Sequence, residues 1–254
     1  MKKHGFTITE MIVALGIIGV VASLTLPNFI SQGRNDAYAK KLATTVSTLE
    51  TAFTSMMATE GVQTMSETEF IDNPSTTTIC ENGQTCTQVT DDYGNSKAIF
   101  ARYIKVNSSS NIISDVYGNI KHKDLFPFSN TLNFEDAADC VLQLKNGANV
   151  GIKFDGTMEI DDAVASANGI STNKLISIIT IDVNGISGPN IWGRDSFVFY
   201  LGDDGNLHPY GGKVFSIVGE ADDWATDESM GCNDTAKNLG CAGRLVENNY
   251  EVDY

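Results

Sequence analysis

The sequence lacks the short motifs that carry most enzyme chemistry. It has no G-x-S-x-G nucleophile elbow, no phosphate-cradling G-x-x-x-x-G-K-[ST] loop and no H-E-x-x-H metal pair. None of its five cysteines stands at C-x-x-C spacing, which argues against thiolate metal sites and redox motifs. Histidine is scarce, with only His4, His122 and His208. His208 precedes a proline in a turn and reads as a surface residue. Basic residues are also few, 17 Lys and Arg against 32 Asp and Glu, for a formal net charge of −15. Nucleic-acid binding through bulk charge needs a basic footprint and is not expected. No internal repeat and no long low-complexity linker interrupts the chain.

The acidic excess is unevenly placed. Residues 1–60 hold Lys2, Lys3, Arg34, Lys40 and Lys41 against Glu10, Asp36, Glu50 and Glu60, a net of +1, so the remainder carries −16. Within the first segment, Gly5 to Pro27 contains a single charge, Glu10, in an otherwise apolar or small-residue run. A transmembrane helix needs roughly 20 such residues, and a carboxylate inside one is functional by default. A cleaved secretory signal is a poorer reading. Glu10 falls inside the apolar region, no A-x-A site ends it, and the run continues into a helical pattern.

The stretch "KKHGFTITEMIVALGIIGVVASLTLP" resembles the N-terminus of type IV pilins and type II secretion pseudopilins. Gly5, Phe6, Thr7, Glu10 and Pro27 fall in place, and Thr9 departs from the usual apolar residue before the acid. The resemblance covers about the first 30 residues. It implies a leader, residues 1–5, removed between Gly5 and Phe6 by a prepilin peptidase that also N-methylates Phe6. It further implies association with other pilin or pseudopilin subunits and with an inner-membrane assembly platform. The chain would be anchored in the lipid of the bacterial inner membrane, its head extracytoplasmic. Cleavage leaves a cation on Phe6, about one helical turn from Glu10. In a bundle of such helices each carboxylate would meet the amine of a neighbour and set the register of assembly. The alternative at this point is a membrane-anchored extracytoplasmic binding or hydrolytic domain that only borrows the anchor.

Beyond the assembly helix, residues 6–27, the pattern predicts an amphipathic half over 28–61. Tyr38, Leu42, Val46, Leu49, Phe53 and Met56 recur at helical period, and Gly61 supplies a C-cap. Pro27 removes a backbone donor and should bend or loosen the helix. The remaining 62–254 read as a β-rich head. Leu142 and Leu144 before Asn146-Gly147, with Val150, Ile152 and Phe154 after it, predict a hairpin. "KLISIITIDV" and "DSFVFYL" predict further strands, while 97–106 fits a strand or a short helix. The expected architecture is α+β, a long helix laid across an antiparallel sheet.

An extracytoplasmic head permits disulfides. The pairs nearest in sequence are Cys80 with Cys86 and Cys232 with Cys241, leaving Cys140 as a buried free thiol, although spacing alone does not fix connectivity. No cofactor is required. Asp182, Asn184 and Asp195 offer hard oxygen ligands for calcium, but the spacing is not that of an EF-hand loop. Asx-turns and Asp-Gly hairpin chemistry account for the same residues without a metal.

Overall fold

The structure, a computed structural model, describes residues 7–72, 76–79, 87–90, 94–108, 140–154, 158–159, 162–167, 171–188, 190–212, 231–232 and 239–254. One helix, α1 (Ile8–Glu60), runs unbroken for 53 residues, about 80 Å at 1.5 Å per residue. The helix continues through residue 27, so Pro27 does not end the spine. Gly61, at φ 72°, closes it: the Gly61 N–H donates to the Met57 carbonyl at 2.9 Å, as the C-cap reading requires.

After a 3-10 turn (Met65–Glu67) come α2 (Glu69–Asp72), β1 (Thr76–Ile79), β2 (Thr87–Thr90), α3 (Gly94–Tyr103) and β3 (Val106–Ser108). Then follow β4 (Cys140–Leu144), β5 (Asn149–Lys153), β6 (Met158–Glu159), α4 (Asp162–Ala167), β7 (Lys174–Asp182), β8 (Ser196–Gly202), β9 (Leu207–Pro209) and α5 (Cys241–Glu247). Strands β1 and β2 form a separate antiparallel pair. The main sheet has the order β3-β4-β5-β7-β8-β9, antiparallel throughout, with β6 added beside β7. The β4–β5 hairpin turns at Asn146-Gly147 as the sequence predicts, with Gly147 at φ 80°. The ambiguous stretch 97–106 divides into the end of α3 and the start of β3.

The upper part of α1 lies across this sheet. Leu42, Val46, Leu49, Phe53 and Met56 are fully or nearly fully buried, and Tyr38 packs partly buried at the edge of the same core. Full burial begins at Ala39, with Ser31, Asn35, Asp36 and Tyr38 partly covered before it. Phe29 and Ile30 are still exposed and apolar, so the bare segment extends past Pro27. Facing the helix are Val150, Ile152, Ile179, Ile181, Phe197 and Phe199 of the sheet. Phe53 is an aromatic hub, its ring centroid 5.9 Å from Phe70 and 5.8 Å from Phe100. Polar ties fix the helix in register: the Leu207 N–H donates to Glu50 Oε1 at 3.1 Å, and Asn146 Nδ2 to Thr45 Oγ1 at 3.2 Å. The turn after β8 touches the helix so closely that a Cβ on Gly205 would lie 2.7 Å from Met57 Cε, and its φ of 81° independently favours glycine.

Truncating this hub should be costly, whereas the opposite face of the helix carries little. Phe53→Ala should destabilise the head by about 3–5 kcal/mol, and exposed Thr51→Ala by no more than about 0.5 kcal/mol. Denaturant unfolding of the full chain in detergent, followed by near-UV circular dichroism, checks both; equal effects would contradict the packing.

Candidate functional site: the bare helix and its N-terminal acid

Between Ile8 and Ile30 none of the described side chains is buried. Thirteen large apolar residues of this segment, among them Ile8, Leu15, Ile17, Leu24 and Phe29, are more than half exposed. Hiding that much apolar surface is worth on the order of 15 kcal/mol, comparable with the whole stability of a typical domain. In water such a face does not stay bare. The segment is long and apolar enough to cross a membrane, 22 steps at 1.5 Å giving about 33 Å against a hydrocarbon core of about 30 Å.

At its start, Thr7 and Glu10 form a reciprocal capping box. Thr7, extended at φ −81°, ψ 154°, accepts the Glu10 N–H at 3.3 Å through Oγ1. Glu10 Oε2 in turn accepts the Thr7 N–H and hydroxyl, each at 2.8 Å. The arrangement satisfies two of the orphan donors at the helix start and sets a carboxylate against the positive end of the helix dipole. Oε1 has no partner among the described residues. The sequence reading missed this box, although T-x-x-E before an apolar run is its signature. The leader, Gly5 and Phe6 lie outside the described residues.

The head's disulfide is seen near the C-terminus, where Cys232 and Cys241 are bonded with Cα atoms 4.6 Å apart. It tethers the start of α5, whose Gly243 packs against the 210–212 turn. A Cβ there would lie 2.6 Å from the Gly211 carbonyl carbon. Cys80 and Cys86 lie outside the described residues, as does the side chain of Cys140.

The acidic turn between β7 and β8 is built for backbone capture. Asp195 is fully buried, and its two carboxylate oxygens accept the N–H groups of Asn190 at 2.9 Å and Ile191 at 2.6 Å. Asp182, also buried, accepts the Asn184 N–H at 3.2 Å and attracts the Lys41 ammonium. Burial pushes the Lys41 pKa down, and Asp182 opposes that shift. Asn184 Nδ2 donates to the carbonyls of Ser187 and Gly188. Asp182, Asn184 and Asp195 are thus brought into one turn, yet the carboxylates already face a lysine and backbone donors. Among the described residues no group of three or more His, Cys, Asp or Glu is placed to hold a metal.

His208 is not the surface residue that its turn context suggested. Its side chain is 15% exposed, with Nε2 3.7 Å from Asp204 Oδ1. The Asp204 carboxylate accepts hydrogen bonds from the Ser171 hydroxyl and from the Asn206 N–H and side-chain amide. Burial raises the Asp204 pKa, but these donors together with His208 outweigh it and hold the group well below the ordinary aspartate range.

Residues 1–26 match the family model described as the prokaryotic N-terminal methylation motif, the processing signal of type IV pilins and pseudopilins. No curated protein and no solved structure matches the chain. The matched segment ends inside the bare helix, and helix and sheet together form an α+β, pilin-like architecture.

Two outcomes follow for the head. Cys232→Ser with Cys241→Ser should lower its stability by about 2–3 kcal/mol, the loop-closure value for a short loop, as measured by denaturant unfolding against the oxidised wild type. A depressed Asp204 contributes stability that is fully present above the unfolded-state aspartate pKa of about 3.9 and fades as pH falls through the folded value. Stability should therefore decline below about pH 4, and Asp204→Asn should flatten that decline in a pH series of thermal unfolding.

Proposed function

We propose that this chain is a structural subunit of an extracytoplasmic filament, either a type IV pilus or a type II secretion pseudopilus. The single observation that carries the reading is the uncovered apolar helix, headed by an acid, whose first half lies within a methylation motif. A simple anchor needs neither the acid nor the motif. Cleavage between Gly5 and Phe6 creates the N-terminal amine, and Phe6 is N-methylated. The bare segment first resides in the cytoplasmic membrane and then packs against equivalent helices of other subunits. Glu10 pairs with the Phe6 amine of a neighbour. Its capping box supports this role, because the Thr7 bonds hold the carboxylate at the helix tip while Oε1 stays open to a second donor.

Processing is tested by N-terminal mass spectrometry of the membrane-extracted protein. The expected species begins at N-methylated Phe6, and Gly5→Val should retain the leader and remain a membrane monomer. A wild-type protein that keeps Met1 would overturn the reading. Assembly is tested by comparing sheared surface filament with membrane-retained subunit for two variants. Glu10→Ala loses both charge and cap, whereas Glu10→Gln keeps an acceptor for the cap and loses only the charge. Both should insert normally and fail to assemble, since a buried cation deprived of its partner costs about 3–5 kcal/mol. Normal filament yield from Glu10→Gln would show that the cap, not the ion pair, is what matters.

A further inference from the structure

Where the bare helix enters the head, a cleft of 260 Å³ opens between α1, the turn before β8 and the C-terminal tail. Ser31, Asn35, Arg194, Phe197 and Tyr254 line it. The turn that carries Arg194 is rigid: Asp195 holds the N–H groups of residues 190 and 191, and the Tyr254 hydroxyl donates to the Gly193 carbonyl at 2.6 Å. Arg194 is half-buried, yet the partners of its guanidinium are neutral. Nε donates to Asn35 Oδ1 at 3.0 Å, with a longer contact to Ser31 Oγ at 3.4 Å. No carboxylate forms an ion pair with it among the described residues. Asp253, which lines the adjoining groove, is already paired with Arg244 at 2.7 Å. Half-buried Asp36 and exposed Arg34 flank Asn35 in sequence. A partly desolvated guanidinium with spare donors facing a cavity is a site for an anion of planar or tetrahedral oxygen geometry.

Its height along the helix identifies the anion. The exposed apolar run ends at Ile30, so Ser31 stands at the hydrocarbon boundary and Asn35 about 7.5 Å beyond the last apolar residue. The headgroup layer occupies roughly 5–7.5 Å on each side of the core. We infer that this cleft holds the phosphodiester of a phospholipid in the leaflet on the head's side, with Arg194 as its charged donor, so that the membrane-resident subunit stands with its head docked base-down. This inference rests on the membrane reading of the bare helix.

The test is native mass spectrometry of the full chain in detergent, titrated separately with phosphatidylglycerol, with diacylglycerol of the same acyl chains, and with inorganic phosphate. The expected result is one retained phosphatidylglycerol per chain and no retained diacylglycerol. Arg194→Gln should weaken lipid retention about tenfold, the value of one charge-assisted hydrogen bond. Asn35→Asp, nearly isosteric, supplies a carboxylate to the guanidinium without disturbing its packing and should weaken retention similarly. That variant keeps the test decisive if Arg194→Gln unfolds, as judged by thermal unfolding. Unchanged retention in folded Arg194→Gln or in Asn35→Asp would overturn the inference, as would inorganic phosphate binding as well as the lipid. Alkaline carbonate extraction separates the two levels. Release of the wild-type chain would remove the membrane reading and this inference with it, whereas an integrated chain with unchanged lipid retention defeats the inference alone.

Discussion

One helix has to satisfy two solvents. Over Ile8–Ile30 its surface is apolar and bare, and from Ala39 upward it is covered on one side by a sheet. Because the helix is continuous, the head cannot be placed independently of the bare segment. Every contact that fixes Leu42, Leu49, Phe53 and Met56 against the sheet also fixes where the head sits above the last apolar residue. Small anchoring bonds matter for the same reason. Glu50 holding the Leu207 N–H and Asn146 reaching Thr45 allow no axial slip, since a one-turn shift would move both partners by about 5.4 Å. The rigid coupling of head to spine follows from packing alone, before any partner is considered.

At the other end of the same helix the demands on Glu10 are local and distant at once. Locally it is the N3 member of a capping box, which a soluble helix would use to gain about 1 kcal/mol. In an apolar environment the gain is of another kind. Backbone donors have no water to turn to, so satisfying them inside the chain becomes obligatory. The box consumes one carboxylate oxygen and leaves the other available. One residue therefore serves its own helix start and retains the capacity to receive a partner's cation.

Much of this was legible in the sequence because it depends on periodicity. The stripe from Tyr38 to Met56 and the Asn146-Gly147 hairpin are local patterns with one good solution each. The stretch 97–106 was not, because Ile99, Phe100 and Ile104 satisfy helix spacing while the residues after them suit a strand. Within the helical part, Phe100 packs its ring against Phe53 and Phe70, contacts far away in sequence. The partners of the acidic turn were hidden for a related reason. Asp182 and Asp195 look like ligands in a list of residues, and only the fold shows them facing Lys41 and backbone N–H groups. Arg194 gave no signal at all, since its partners Asn35 and Ser31 lie 159 and 163 residues away in sequence. The capping box was legible and overlooked, because the same glutamate also answered a different question.

On the proposed reading, the polar groups rather than the apolar surface decide when the subunit leaves the membrane. Lipid tails are about as apolar as leucine, so moving the bare helix from bilayer to helix bundle changes little in hydrophobic burial. What differs between the two environments is the fate of the few charges on the path. In the bilayer Glu10 has only its own cap, and in the bundle it gains a neighbour's amine. At the head's base the balance runs the opposite way, because a phosphodiester held by Arg194 must be given up on extraction. The chain beyond residue 60 carries a net −16, which disfavours contact with an anionic bilayer elsewhere on the head and concentrates any adhesion at this base. Assembly then trades one charge-assisted contact for another of similar strength, at opposite ends of the same bare segment. Such a near-balance suits a subunit that must be held in the membrane and still be withdrawn from it.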